Sequence, residues 1–209
     1  MTFAADPHTY AYYERRAAEY DEWYAGTGRF AARSRPGWDA EVRAVAELLA
    51  GLAPARTLDV ACGTGYLTRH LRGLVVGLDQ SPAMVARAQA RLPGGVAVVG
   101  DALALPFAAG AFERVVAGHF YGHLDESERA AFLAQARRVG GELVVVDSAW
   151  RAGGVRDGWQ ERVLNDGSRH RVFKRYLTPA ALAAEIGGER LFDGDWFVAA
   201  RAGSAPGQG

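Results

Sequence analysis

A doubly wound α/β fold with a mostly parallel sheet is the prediction for this chain, and two features of the sequence carry it. Five short runs rich in β-branched residues, at 57–61, 74–79, 96–100, 114–118 and 142–147, are apolar at nearly every position. Strands buried on both faces read that way. Between them lie longer segments with apolar residues at helical spacing, and such alternation builds a parallel sheet covered on two sides. Sheets of this kind bind ligands beyond the carboxyl ends of their strands, so the residues after each run matter most.

The elements follow in chain order. Near the start, Tyr13, Ala17, Tyr20 and Tyr24 fall at helical spacing and form an aromatic stripe. "WDAEVRAVAELLAGL" then aligns Val42, Val45, Ala46 and Leu49 on one helix face. The first strand, "TLDVA", runs into "CGTGY", where Gly63 and Gly65 can take backbone angles closed to other residues and let a ligand approach. A helix beginning near Tyr66 would aim free amides into that loop and favour a pyrophosphate or a carboxylate. The dinucleotide fingerprint wants a third glycine where Thr68 stands, so a dinucleotide is the weaker fit. Asp59, just ahead of the loop, could orient an ammonium group or bond the loop's amides.

After the second strand, Asp79 in "GLDQ" could accept both hydroxyls of a ribose. Ser81 and Pro82 open a helix that buries Met84, Val85, Ala88 and Leu92. After the third strand, Asp101 could accept from an exocyclic amine while the Ala102 amide faces a ring nitrogen; alone, an Asp after Gly is more often a turn residue. The fourth run ends in "AGHFYGHL", which offers His119, Tyr121 and His123 as acid–base groups. Asp125 and Glu128 have capping-box spacing, with Phe132, Leu133, Ala136 and Val139 as the buried stripe. "NDG" at 165–167 predicts a hairpin with strands near 161–164 and 169–175. Its residues Arg169, His170, Arg171, Lys174 and Arg175 are either a solvated face or a grip on an anionic substrate group. A last helix is marked by Thr178, Pro179 and Gly187.

Composition narrows the function classes. The 24 Lys+Arg balance 24 Asp+Glu, which argues against a nucleic-acid partner held by overall charge. Cys62 is the single cysteine, so neither an internal disulfide nor a cysteine-based zinc cluster can form. His119 and His123 have the spacing of a metal pair, yet no third ligand accompanies them, and no metal is expected. The opening residues lack a long apolar core and no run approaches the roughly 20 residues of a membrane span, so a cytoplasmic location without a membrane partner is expected.

"LDVACGTGYLT", "VVGLDQSPAMVARAQ", "GDALALPFAAGAFERVV" and "GELVVVD" together resemble the sequential motifs of class I S-adenosylmethionine-dependent methyltransferases, closest to the small-molecule enzymes of the ubiquinone/menaquinone-biosynthesis type. The resemblance covers roughly residues 10–201; it departs where Ala61 stands for the first glycine of the loop. It implies a seven-stranded sheet with a reversed last strand, 195–201 beside 189–193. It also implies one domain over 1–202, with a helical cover at 1–38, a hairpin insertion at 155–177 and a flexible tail at 203–209. S-adenosylmethionine is the implied cofactor, held by Tyr20, Asp59, Ala61, Gly63, Gly65, Asp79, Gln80, Asp101, Ala102, Gly118 and His119. The implied reaction is methyl transfer to O, N or C of a small-molecule acceptor, with His119, His123 and Tyr121 as catalytic candidates and His170, Arg171 and Lys174 on the substrate side. The magnesium-dependent O-methyltransferases carry an Asp-Asn pair after the fifth strand, whereas this chain has Asp147 and Ser148. A non-methylating enzyme of the same fold and a non-catalytic cofactor-binding module stay open at this point.

Overall fold

The computed structural model describes residues 6–203. Its strands are β1 (Thr57–Val60), β2 (Val75–Asp79), β3 (Val96–Val99), β4 (Phe112–Gly118), β5 (Gly140–Ser148), β6 (Asp157–Val163), β7 (Arg169–Arg175), β8 (Glu189–Asp193) and β9 (Phe197–Gly203). Seven of them form one sheet in the order β3-β2-β1-β4-β5-β9-β8, and β6 and β7 form the hairpin the "NDG" turn predicts. Every pairing from β3 across to β5 is parallel, and β9 runs antiparallel to both β5 and β8. The last strand is therefore reversed, as the resemblance implies, although it spans 197–203 and takes in Gly203. The rest of the expected tail lies outside the described residues.

The helices are α1 (Pro7–Arg16), α2 (Glu22–Ala25), α3 (Trp38–Gly51), α4 (Pro82–Arg91), α5 (Glu126–Val139) and α6 (Pro179–Ile186). Their ends are set by the expected side chains. Ser81 accepts from the Met84 amide, Asp125 and Glu128 close a capping box, Thr178 accepts from Ala181, and Gly187 ends α6 at φ 71°. Such caps contribute about 1 kcal/mol each. Alternate residues of β4 enter opposite layers: Val115 and Ala117 pack with Phe132 and Leu182, while Val116 packs with Val45 and Leu49. Fully buried side chains such as Phe132 and Leu182 contribute about 1.5–3 kcal/mol each by leaving water.

Two expectations are corrected. No α-helix follows the glycine loop; the segment closes in a single 3-10 turn, Thr68–His70. Leu67 and Leu71 are buried at helix-like spacing, but the chain must enter β2 at Val75, which leaves no length for a helix with a useful dipole. The N-terminal aromatic stripe is likewise not one helix. It breaks after Arg16 and resumes as the four-residue α2, so Tyr12, Ala17 and Tyr24 are buried while Tyr13 and Tyr20 stay partly exposed.

The strand order reverses between β1 and β4. Chain leaving β1 and chain leaving β4 therefore meet at one edge of the sheet, where a crevice opens.

Candidate functional site

At that edge lies a cleft of about 530 Å³, lined by Ala61 and Gly63 after β1, Asp79 and Gln80 after β2, Ala102 after β3, and Gly118 and His119 at the end of β4. Tyr13 and Tyr20 of the N-terminal segment form its roof. The roof is tied down at two points. Glu14 accepts from the Ser81 hydroxyl and, at 3.2 Å, from the Ala83 amide at the start of α4. Asp21 accepts from Thr64 Oγ1 at 2.6 Å and pairs with Arg91.

The loop after β1 turns on left-handed residues: Ala61, Gly63 and Gly65 have φ of 56°, 55° and 75°. A Cβ on Gly63 would lie 3.5 Å from the Tyr20 ring, in the space between loop and roof. Three of the loop's amides are not offered to a ligand. Cys62 N donates to Leu78 O, Gly63 N to Asp79 Oδ2, and Gly65 N to Cys62 O, so these donors are spent inside the protein. The expected anion cradle is narrowed by the loss of those three donors.

Asp79 is 8% exposed and accepts from the amides of Gly63 and Ser81, each at 2.9 Å. Burial pushes its carboxyl up to about 6, against the lowering effect of those amides. Each oxygen retains a lone pair beyond the amide it accepts from. Buried Gln80 Oε1 has no hydrogen-bond partner among the described residues, nor has either ring nitrogen of His119. A buried polar atom left unpaired costs roughly 1–3 kcal/mol, so orphaned atoms around one cleft fit a ligand that supplies partners.

Other expected contacts are redirected by the fold. Gly65 is needed for packing, since a Cβ there would come 3.0 Å from the Ala88 main chain. Asp59 is 3% exposed and takes the Thr68 hydroxyl, so the residue at the third-glycine position serves the neighbouring strand. Burial, opposed by that hydrogen bond, pushes Asp59 up to about 7. Asp101 accepts from the Leu103 amide at 2.8 Å and closes a turn, while its neighbours Gly100 and Ala102 line the cleft.

His119 is 9% exposed, has φ 56° and sits among Trp23, Tyr24 and Phe197. Burial lowers it to about 4, with Asp147 opposing and Lys174 adding to the shift. His123 is half-buried and belongs to a hydrogen-bonded chain. Its Nδ1 donates to Phe173 O at 2.6 Å, which leaves Nε2 to accept from the Tyr13 hydroxyl at 3.3 Å. Burial, then the charge of Lys174, holds His123 well below its ordinary value. Tyr121 is corrected as a site residue: it is buried against Phe132, and its hydroxyl donates to Glu185 of α6.

A second, open cavity of about 1830 Å³ adjoins the cleft and shares Tyr13, Tyr20, His119 and His123 with it. Lys174 is among its lining residues, but not as a solvated charge. It is 4% exposed and ion-paired with fully buried Asp147, which also accepts from the amides of Gly122 and Ser148 at 2.7 Å. Burial, the largest single influence, would raise Asp147; the charge and hydrogen bond of Lys174, with His119 and His123, together outweigh it and hold the carboxyl below its ordinary value. His170 and Arg171 instead line a separate outer groove, with His170 tilted against Tyr12 and Arg171 over Trp159. Residues missed in the sequence include Tyr13 and Met84 in the cleft and Trp23 in the second cavity. For Met84 the N-terminal position on a capped helix was the available signal.

Comparison with known proteins bears on this geometry. The sequence model of a family described as "Methyltransferase domain" matches residues 57–140. An uncharacterised methyltransferase of Mycobacterium tuberculosis is 32% identical over 174 residues, 72% of this chain and 69% of that protein. A demethylmenaquinone methyltransferase of Thermotoga maritima is 35% identical over 111 residues, 49% of this chain and 48% of the enzyme, so about half of that relative's length is matched. Among solved structures, the DhpI–SAH complex superposes with a TM-score of 0.71 at 27% identity, covering 94% of this chain and 95% of that one. A DhpI–SAM–HEP complex gives 0.70 at the same identity, over 91% and 94%.

Proposed function

Since this chain belongs to the class I S-adenosylmethionine-dependent methyltransferases, with S-adenosylmethionine as its cofactor, we propose that it methylates an oxygen, nitrogen or carbon atom of a small metabolite without a metal ion. The observation that carries the proposal is the meeting of cleft and cavity at His119. A donor in the cleft and an acceptor in the cavity would face one another across that residue, as in-line transfer requires. The cofactor supplies an electrophilic methyl group on a sulfonium. Asp79 takes the ribose hydroxyls, Gln80 and Ala102 flank the base, and Tyr20 and Gly63 enclose the methionine end. Asp147 already has Lys174 as its counter-ion, which favours a metal-free site.

His119 is neutral at physiological pH and a weak proton acceptor, because efficient general bases have values near the working pH. Its role is to hold the acceptor through a hydrogen bond, and the buried, aromatic surroundings keep water out. Tyr13 and His123 form the fixed wall behind it.

Incubation with methyl-labelled cofactor and metabolite extracts tests the function: label should enter a small product as S-adenosylhomocysteine accumulates. Turnover of an extract component without S-adenosylhomocysteine would reject methyl transfer. With an acceptor in hand, His119→Ala should lower kcat about 10–100-fold. The wild-type rate should be level from pH 6 to 8, since His119 is already neutral there. A tenfold rise per pH unit across 6–7 would show an ionising base and contradict this role.

Cofactor affinity has its own pH signature. Asp79 must be ionised to accept two hydroxyls, and its value is raised to about 6. Affinity is therefore full above that pH and lost below it, and the Kd of S-adenosylhomocysteine at pH 5 should exceed that at pH 7.5 by roughly tenfold. Titration calorimetry at the two pH values reads this directly.

A further inference from the structure

Resting on the methyl-transfer function proposed above, we propose that the acceptor is a small oxyacid that enters as its anion, is gripped by arginines of the second cavity, and is methylated on its own oxygen. The cavity is strongly charge-segregated. Arg16, Arg29, Arg33, Arg35, Arg151 and Arg162 line it with Lys174, against only Glu19 and Glu161. The whole chain carries equal numbers of cations and anions, so this excess is positional and not compositional.

Arg56, Arg91, Arg114, Arg129, Arg169, Arg175 and Arg201 each have a carboxylate within ion-pair distance. Among the described residues, none of the six cavity arginines has one. Other arginines, Arg87, Arg137 and Arg171 among them, also have no ion pair there; what sets these six apart is that they face one cavity whose own carboxylates do not neutralise them. The two carboxylates that could have served them are engaged elsewhere: Glu19 accepts from the Asn165 amide and Glu161 pairs with Arg169. Arg35 feels the deficit, being held below its ordinary value by burial and by neighbouring Arg33.

Aromatic rings hold several of these guanidiniums by their faces. Arg33 lies 4.9 Å from the Phe30 ring, Arg35 4.0 Å from Trp38, and Arg151 3.9 Å from Trp196. Stacking fixes the guanidinium plane. Arg35 already donates to Trp23 O at 2.8 Å, Arg29 to Leu164 O at 3.4 Å and Arg16 to the Tyr12 hydroxyl. The edges of Arg33, Arg151 and Arg162 are therefore the ones offered to a bidentate oxyanion. The arginines come from α1, the segment between α2 and α3, the turn after β5, and β6. They thus enclose an anion from several sides.

The chemistry at the junction agrees. His119 is a weak base, and both nitrogens of His123 are engaged by Phe173 and Tyr13. Tyr13 and Tyr20 are pushed well above their ordinary range by burial, so neither ionises near neutrality. No group there is suited to take a proton, and an oxyanion has none to give. An O–CH3 bond forms as the S–CH3 bond breaks; the oxyanion supplies the electron pair, and the sulfonium sulfur keeps the pair of the broken bond. The products are a methyl ester and S-adenosylhomocysteine, with no proton released. Carboxylates and phosphonates share this chemistry.

The test is titration calorimetry on full-length protein saturated with S-adenosylhomocysteine. The probes are tricarballylate and phenylphosphonate, with tricarballylamide and dimethyl phenylphosphonate as uncharged controls. At least one acid should bind, at least tenfold more tightly than its control, and weaken as NaCl rises from 50 to 300 mM. Which acid binds identifies the source of the oxyanion. Arg33→Gln, Arg151→Gln and Arg162→Gln should each weaken that acid about tenfold, with the Kd of S-adenosylhomocysteine changed less than twofold. Equal binding of acids and controls, unchanged affinity in all three variants, or no heat from either acid would overturn the proposal. So would label carried on nitrogen or carbon in the isolated product. Failure of S-adenosylhomocysteine to bind wild-type protein would instead reject the cofactor cleft, so the two failures are distinguishable.

Discussion

Asp79→Asn should weaken S-adenosylhomocysteine binding by about 30–1000-fold while leaving the chain folded. Of two charge-assisted hydrogen bonds to ribose hydroxyls, one worth about 1.5–3 kcal/mol is lost and the other, on the remaining amide oxygen, weakens by about 0.5–1 kcal/mol on becoming neutral. Asn also presents an NH2 group where a carboxylate now accepts from Gly63 and Ser81, so one of those amides loses its acceptor. The loop and the cap of α4 both loosen around the ligand. Calorimetry gives the affinity, and a thermal melt without ligand confirms folding. An affinity within threefold of wild type would remove Asp79 from the site.

The second large effect is on stability. Lys174→Met leaves the Asp147 carboxylate in the core with two amide donors but no counter-ion. Breaking one side of a buried pair costs about 3–5 kcal/mol. For a chain of this size that lowers Tm by roughly 6–20 °C. The pH dependence should also change sign. In wild type, Lys174 holds the Asp147 carboxyl below its unfolded value, so its stabilisation is present above about pH 4 and lost only as pH falls through the folded value. Without Lys174, burial prevails and the carboxyl rises, so acidification from pH 7.5 to 5.5 should raise the variant's Tm relative to wild type. Adding Asp147→Asn should recover most of the loss at pH 7.5. A single variant that melts within 2 °C of wild type would show that the pair is not closed in solution.

The sheet was legible because its strands are short, continuously apolar and bounded by capping residues whose geometry is local. Ser81, Asp125 and Thr178 accept from amides three residues on, and Gly187 donates its N–H to carbonyls three and four residues back, so pattern and structure agree. The strand-end carboxylate Asp79 was legible for the same reason. Long-range partners were not. Lys174 looked like one more hairpin cation because Asp147 lies 27 positions away, on another sheet. Asp59 and Thr68 looked like separate loop features until the turn at Thr68–His70 brought them together. Tyr121 carried the right chemistry, but the 3-10 turn at Tyr121–His123 buries it beneath α6 while His119 and His123 line the cleft. The cavity arginines were scattered over four segments, and only the fold shows that they share a wall without a carboxylate partner.

What most directly decides the matter is a crystal structure of the wild-type chain grown with S-adenosylhomocysteine. The expected electron density places the ribose hydroxyls on Asp79, the base beside Gln80 and Ala102, and the sulfur toward His119. A nucleoside bound anywhere else, or turned so that its sulfur faces away from the arginine-lined cavity, would contradict the assignment.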